Sequence, residues 1–107
     1  MAVVFTSHAK DAISAEEKAK VVALEIIGGK AESYAKKLCP VDTGRLRASI
    51  THAQMDENTE VIGTNVEYAP YVELGTHKMS AKPFLRPAAE NHSEEYRQIL
   101  KQVMSNA

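Results

Sequence analysis

The chain has 107 residues, a net charge of −1 and 25% charged side chains, which is the size of one domain and too short for a catalytic domain joined to a separate regulatory one. Near-neutrality excludes a molecule tuned as a whole to bind nucleic acid. The single cysteine, Cys39, excludes an intramolecular disulfide and fits synthesis in a reducing cytoplasm.

Only 23 of the 107 residues are Ile, Leu, Val or Phe, and much of the nominal 44% hydrophobic content is alanine. So small a domain buries a modest fraction of its surface, and contacts with its own copies or a partner are expected to help hold it together. The opening Met1-Ala2-Val3-Val4-Phe5-Thr6-Ser7 lacks the basic start of a secretory signal. No apolar run approaches the roughly 18 residues that span a membrane, so no membrane partner is expected.

In chain order, residues 1–13 read as a mixed N-terminal arm and 14–107 as a single domain. Ser14-Ala15-Glu16-Glu17 has the form of a capping box. Behind it Val21, Leu24, Ile27, Ala31, Ala35 and Leu38 recur at helical spacing, which predicts a long amphipathic helix over 15–38. Gly28-Gly29 inside it predicts a bend or a close helix contact, and Pro40 ends it. Asp42-Thr43-Gly44 reads as a turn, with Thr43 capping a short helical turn through Arg47. Strands are expected over 48–55 and 60–64, joined as a hairpin by the polar turn Asp56-Glu57-Asn58-Thr59.

Tyr68 to Gly75 reads as a short helix, with Pro70 suited to its first position and Gly75 to its C-terminal cap. Residues 76–82 have no hydrophobic period and read as a loop. Pro83-Phe84-Leu85-Arg86 reads as a short extended stretch and a candidate edge strand. Pro87 then opens a final helix over 88–104, with Ala89, His92, Tyr96, Ile99, Leu100 and Val103 along one side. The fold class is α+β: a small antiparallel sheet packed against a long N-terminal helix and a C-terminal helix.

Candidate chemistry is sparse. Gly28-Gly29-Lys30 lacks the spacing of a phosphate loop, because Leu24 and Ala31 stand where glycine and a hydroxyl residue are required. His8, His52, His77 and His92 do not fall at zinc-ligand spacing from one another or from Cys39, so no metal is expected. Cys39 has no nucleophile signature around it and reads as a buried thiol. There is no Gly-x-Ser-x-Gly elbow, and Glu16-Glu17 and Glu94-Glu95 read as solvated helix charge. The expectation is a protein with no catalytic residues and no cofactor.

Charge is distributed unevenly. Residues 39–75 carry two arginines against six acids, a net −4, whereas 76–89 carry Lys78, Lys82 and Arg86 with no acid. A basic loop beside an acidic body suits head-to-tail docking of identical subunits, which closes into a ring if the rotation permits. A merely solvated loop fits equally well, and a loop facing DNA is a third reading.

Three blocks carry a resemblance: PVDTGRLRASI at 40–50, VIGTNVEYAPYVELGT at 61–76 and PFLRPA at 83–88. Together they closely resemble the phage family typified by gene product ten of phage HK ninety-seven, small tail-completion or neck proteins of long-tailed phages and prophages. The resemblance spans about residues 15–105. It matches Asp42, Thr43, Gly44 and Arg45 in the first block, then Tyr68, Ala69, Pro70, Tyr71, Glu73, Gly75 and Thr76, then Pro83 to Pro87. It implies a structural virion protein at the head–tail junction, made in the bacterial host cytoplasm, without cofactor or catalysis. The implied partners are its own copies in a ring, a head-side connector and a tail-side terminator or tube protein, with phage DNA in passing contact. The alternatives are a tail terminator capping the tail tube and a DNA-binding module using the 76–89 loop. Gly44 and Gly75 are expected to supply unusual backbone angles, and Tyr68, Tyr71, Phe84 and Leu85 to act as apolar anchors. Arg45, Arg47, Tyr71, Glu73, Lys78, Lys82 and Arg86 are the expected interface residues.

Overall fold

A computed structural model describes residues 1–6, 14–40 and 44–105; the side chains of residues 5, 6 and 14–17 are not described. Asp42 and Thr43, and the side-chain pairing of the expected capping box, lie outside the described residues. In chain order the elements are β1 (Ala2–Thr6), α1 (Ser14–Leu38), α2 (Arg45–Ser49), β2 (Thr51–Asp56), β3 (Thr59–Gly63), α3 (Ala69–Leu74), α4 (Leu85–Glu90) and α5 (Ser93–Ser105). This is the expected α+β arrangement, a three-stranded antiparallel sheet in the order β1–β3–β2 with helices packed on it.

Helix α1 follows its sequence period except at its end, where Leu38 is 47% exposed. Ala23, Leu24, Ile27, Ala31 and Ala35 are buried, and the last three join Ile50, Ile62, Phe84, Leu85, Ala88 and Tyr96 in the main core. The small alanines let the helix lie close to its neighbours, and larger side chains from the sheet, α4 and α5 fill the space. Tyr96 closes the far side, its hydroxyl donating to the Ala88 carbonyl at 2.5 Å.

Strand β3 is central, and its residues alternate between half-buried and buried. Glu60 and Ile62 face the core, and opposite residues in a ladder share a face. The register Gln54↔Glu60 and His52↔Ile62 therefore turns His52 and Gln54 toward α1 as well. The hairpin turn is Glu57-Asn58, held by the Asn58 N–H donating to Asp56 at 2.8 Å. Buried Lys20 of α1 donates to Asn58 Oδ1 at 2.6 Å and ties the helix to that turn.

Four local expectations are corrected. Within the 1–13 arm, Ala2–Thr6 is a strand that adds to β3, with Val3 opposite Ile62 and Val4 opposite Val61. The expected strand at 48–55 begins only at Thr51, because α2 continues through Ser49, anchored by buried Leu46 and by Ser49 donating to the Leu46 carbonyl at 2.6 Å. Phe84-Leu85-Arg86 is not an edge strand but the start of α4. The single final helix is two helices, α4 and α5, broken at Asn91-His92; Pro87 lies in the first turn of α4, where its missing N–H costs nothing.

Gly28 meets a strand rather than a helix: a Cβ there would fall 2.2 Å from Glu60 Oε2. At Gly29 the nearest atom would be His52 Cε1 at 4.0 Å. Gly29→Ala should therefore stabilise the protein by about 0.5–1 kcal/mol through helix propensity. Gly28→Ala should destabilise it by about 1–2 kcal/mol, overpacking outweighing the same gain. Urea unfolding of both variants checks this; equal stabilisation would mean that the Glu60 carboxylate moves aside freely.

Candidate assembly surface and a carboxylate–histidine cluster

The stretch from α3 to α4 is built around one side chain. Pro70 enters the first turn of α3, and Gly75 ends it with φ 76° and ψ 174°. The Gly75 N–H donates to the Tyr71 carbonyl at 2.9 Å. Beyond it Thr76 and Met79 form a small bridge, and the Lys82 N–H returns to the Val72 carbonyl at 2.8 Å. Glu73 is 4% exposed, and its carboxylate accepts three backbone N–H groups: Phe84 at 3.0 Å, Leu85 at 2.8 Å and Arg86 at 3.2 Å. An anion at a helix N-terminus satisfies donors that the helix cannot. This cap turns residues 84–86 into a helix start. It also corrects the reading of Glu73 as an interface residue, because its oxygens are spent inside the fold.

The remaining expected interface residues are exposed. Lys78 and Lys82 lie on the loop held between α3 and α4. Arg86 is exposed beside it and bonded to Glu90 at 3.0 Å. Tyr71 is 59% exposed, and Leu74 and Met79 are exposed near it on α3 and the loop. Sequence reasoning missed these last two; the available signal was Leu74 standing three residues after Tyr71, on the same face of a short helix. Arg45 and Arg47 are exposed on α2. Arg45 makes a two-pronged contact with Glu67, at 3.2 and 3.1 Å, and lies over the Tyr68 ring.

The acidic body expected to oppose the basic loop is smaller than its count. Glu60 and Glu73 are buried and Glu67 is paired with Arg45, which among the described residues leaves Asp56 and Glu57 exposed at the hairpin tip; Asp42 lies outside the described residues. Cys39 is buried and donates weakly to the Pro40 carbonyl at 3.4 Å; burial pushes its thiol pKa up, only partly offset by Arg47. It is a poor nucleophile in that state.

A second polar group lies between α1 and the sheet. His52 Nε2 is 2.9 Å from Glu25 Oε1, and its Nδ1 is 2.9 Å from Glu32 Oε1. Burial works against a charged ring, but the two carboxylates outweigh it and raise the His52 pKa. Glu32 also loses by burial, yet hydrogen bonds from His52 and Lys36 hold its pKa below the ordinary value. Glu60 is 0% exposed, and neither carboxylate oxygen has a hydrogen-bond partner among the described residues. Burial pushes its pKa up, and the Glu25 charge adds to the effect. The sequence hid this group because its members come from three elements. The one available signal was the alternation that puts Glu60 on the same side of β3 as Ile62.

A family profile described as "Bacteriophage HK97-gp10, putative tail-component" matches residues 6–75, well over half of the chain. The chain belongs to this HK97-gp10-like family. The match contains the first sequence block and the second up to Gly75, includes part of the arm before residue 14, and stops before the PFLRPA block. Among curated proteins and among solved structures, none matches this chain. The HK97-gp10-like family is one of phage tail components, so the structural role expected from the resemblance stands at that level. No helix among the described residues is long and apolar enough to cross a membrane.

Proposed function

We propose that this protein is a structural component of the head–tail junction of a tailed phage, assembling as a ring between a head-side connector and the tail. The observation that carries this reading is the match of residues 6–75 to a phage tail-component family. The surface fits it. A basic loop, fastened to α3 by the Lys82–Val72 bond and followed directly by the Glu73-capped helix, presents Lys78 and Lys82 beside exposed Tyr71, Leu74 and Met79. Aromatic and methionine side chains next to mixed charge are the composition of protein interfaces. In a head-to-tail ring this face of one subunit meets the hairpin tip of the next, where Asp56 and Glu57 are exposed. Arg45, Arg47 and Arg86 form the charged rim. The ring belongs to the virion, and its role is structural rather than catalytic, in keeping with the buried, proton-retaining Cys39 thiol.

Light scattering across a wide concentration range, with negative-stain electron microscopy of the same samples, tests the proposal. A discrete ring with an open centre is the expected result. The double variant Lys78→Glu/Lys82→Glu should fold normally and weaken assembly at least about tenfold, near 1.4 kcal/mol, because it sets like charges against Asp56 and Glu57. Ring formation unchanged in that variant would remove the loop from the interface. A monomer at every concentration that also fails to join phage head or tail particles would defeat the reading as a whole.

A further inference from the structure

The cluster between α1 and the sheet contains an arrangement that hydrogen bonding alone does not complete. Glu60 is fully buried, and both of its oxygens lack a donor among the described residues. Buried carboxylates without a donor are rare because the desolvation cost goes uncompensated. A proton on His52 Nε2 answers Glu25, which is 2.9 Å away, but leaves Glu60 as it was. One cation facing all three groups answers both needs. Ligand atoms of Glu25, His52 and Glu60 lie within 4.8 Å of one another.

The surroundings are those of a metal-binding histidine. Glu32, 2.9 Å from Nδ1, fixes the ring with Nε2 toward Glu25. A carboxylate behind the imidazole is the usual way proteins orient a histidine ligand and raise its basicity. Gly28 contributes as well, since any Cβ there would lie 2.2 Å from Glu60 Oε2 and push the carboxylate out of place. Zinc–nitrogen and zinc–oxygen bonds of about 2.1 Å put tetrahedral ligands about 3.4 Å apart. The three donors must therefore draw in by on the order of 1 Å, which the Glu25 side chain, 60% exposed, is free to do.

We propose that Glu25, His52 and Glu60 bind one divalent transition-metal ion of the zinc class, with Glu32 as the positioning residue behind His52. One imidazole with two carboxylates suits zinc better than the all-oxygen sets that calcium and magnesium prefer. The ion would staple α1 to β2 and β3, the elements that carry its three ligands.

The test uses the full chain, stripped with a chelator, dialysed and titrated with zinc chloride by calorimetry, with thermal unfolding measured in parallel. One zinc per chain and a rise in melting temperature are expected. Glu25→Gln alters an exposed side chain, so it should keep the fold and weaken binding about tenfold or more. Glu60→Gln, close to isosteric, should fold and lose binding. Glu32→Gln should weaken binding about 10- to 100-fold without removing a ligand. Absence of saturable binding overturns the proposal. So does zinc binding of equal strength in wild type, Glu25→Gln and Glu60→Gln, which would put the ion elsewhere on the surface.

Discussion

Glu73→Ala is expected to destabilise the protein by about 3–5 kcal/mol. The side chain looks expendable in sequence, an acid on a six-residue helix, but its carboxylate is 4% exposed and receives three backbone N–H groups. Hydrogen bonds to a charged acceptor contribute about 1.5–3 kcal/mol each, and losing the shared acceptor strands several donors at once. The Phe84 and Leu85 donors are buried, so water does not readily replace the oxygen they share. Such a loss is a large part of the roughly 5–15 kcal/mol that holds a domain folded. Glu73→Gln keeps one carbonyl oxygen and should cost about 1–2 kcal/mol, since a neutral acceptor is weaker. Urea unfolding followed by circular dichroism measures both. If Glu73→Ala stayed within about 1 kcal/mol of wild type yet lost assembly, the capping account would be wrong and Glu73 would return to the interface.

The second large effect is expected at Gly75, where alanine should cost about 2–4 kcal/mol. At φ 76° and ψ 174° the backbone occupies a region that is nearly glycine's alone, at a cost of about 1–3 kcal/mol for other residues. An added Cβ would also fall 2.7 Å from the Ala81 nitrogen and 3.0 Å from the Met79 oxygen, both main-chain atoms with no rotamer to change. Gly44 is the control. It too has positive φ, 73°, but nothing lies within 4 Å of a Cβ there, so Gly44→Ala should cost only about 1 kcal/mol. A thermal melt of the two variants separates strain from collision, and equal losses would mean that the loop yields at Ala81. Because Gly75 and Glu73 both hold the loop against α3 and α4, Gly75→Ala should also loosen Lys78 and Lys82 and reduce assembly beyond its effect on folding.

Both residues belong to the part of the chain where sequence reading was least complete. Pro70 and Gly75 correctly bounded α3, since each acts on its own backbone. The α4 start was read as a strand because the carboxylate that caps it comes from 11 to 13 residues upstream. The basic loop was recognised from its composition, but the acidic counterpart shrank once Glu60 and Glu73 proved buried. The family was legible in motif blocks at 40–50 and 61–76, and the profile match covers the first and all of the second but Thr76.

The sequence by itself determined the elements whose cause is local: the long α1 with its apolar period, the β2–β3 hairpin around a polar turn, and a short α3 between proline and glycine. It also determined the α+β class and the family. Tertiary structure alone decided that Ala2–Thr6 would be a strand, since its partner β3 begins more than 50 residues later. It alone decided that Glu73 would be a cap, and that Glu25, Glu32, His52 and Glu60 would meet under one helix. Periodicity and turn chemistry act over a few residues and are written along the chain. Burial and pairing across distant elements depend on which faces meet, and that is settled only when α1 closes over the sheet.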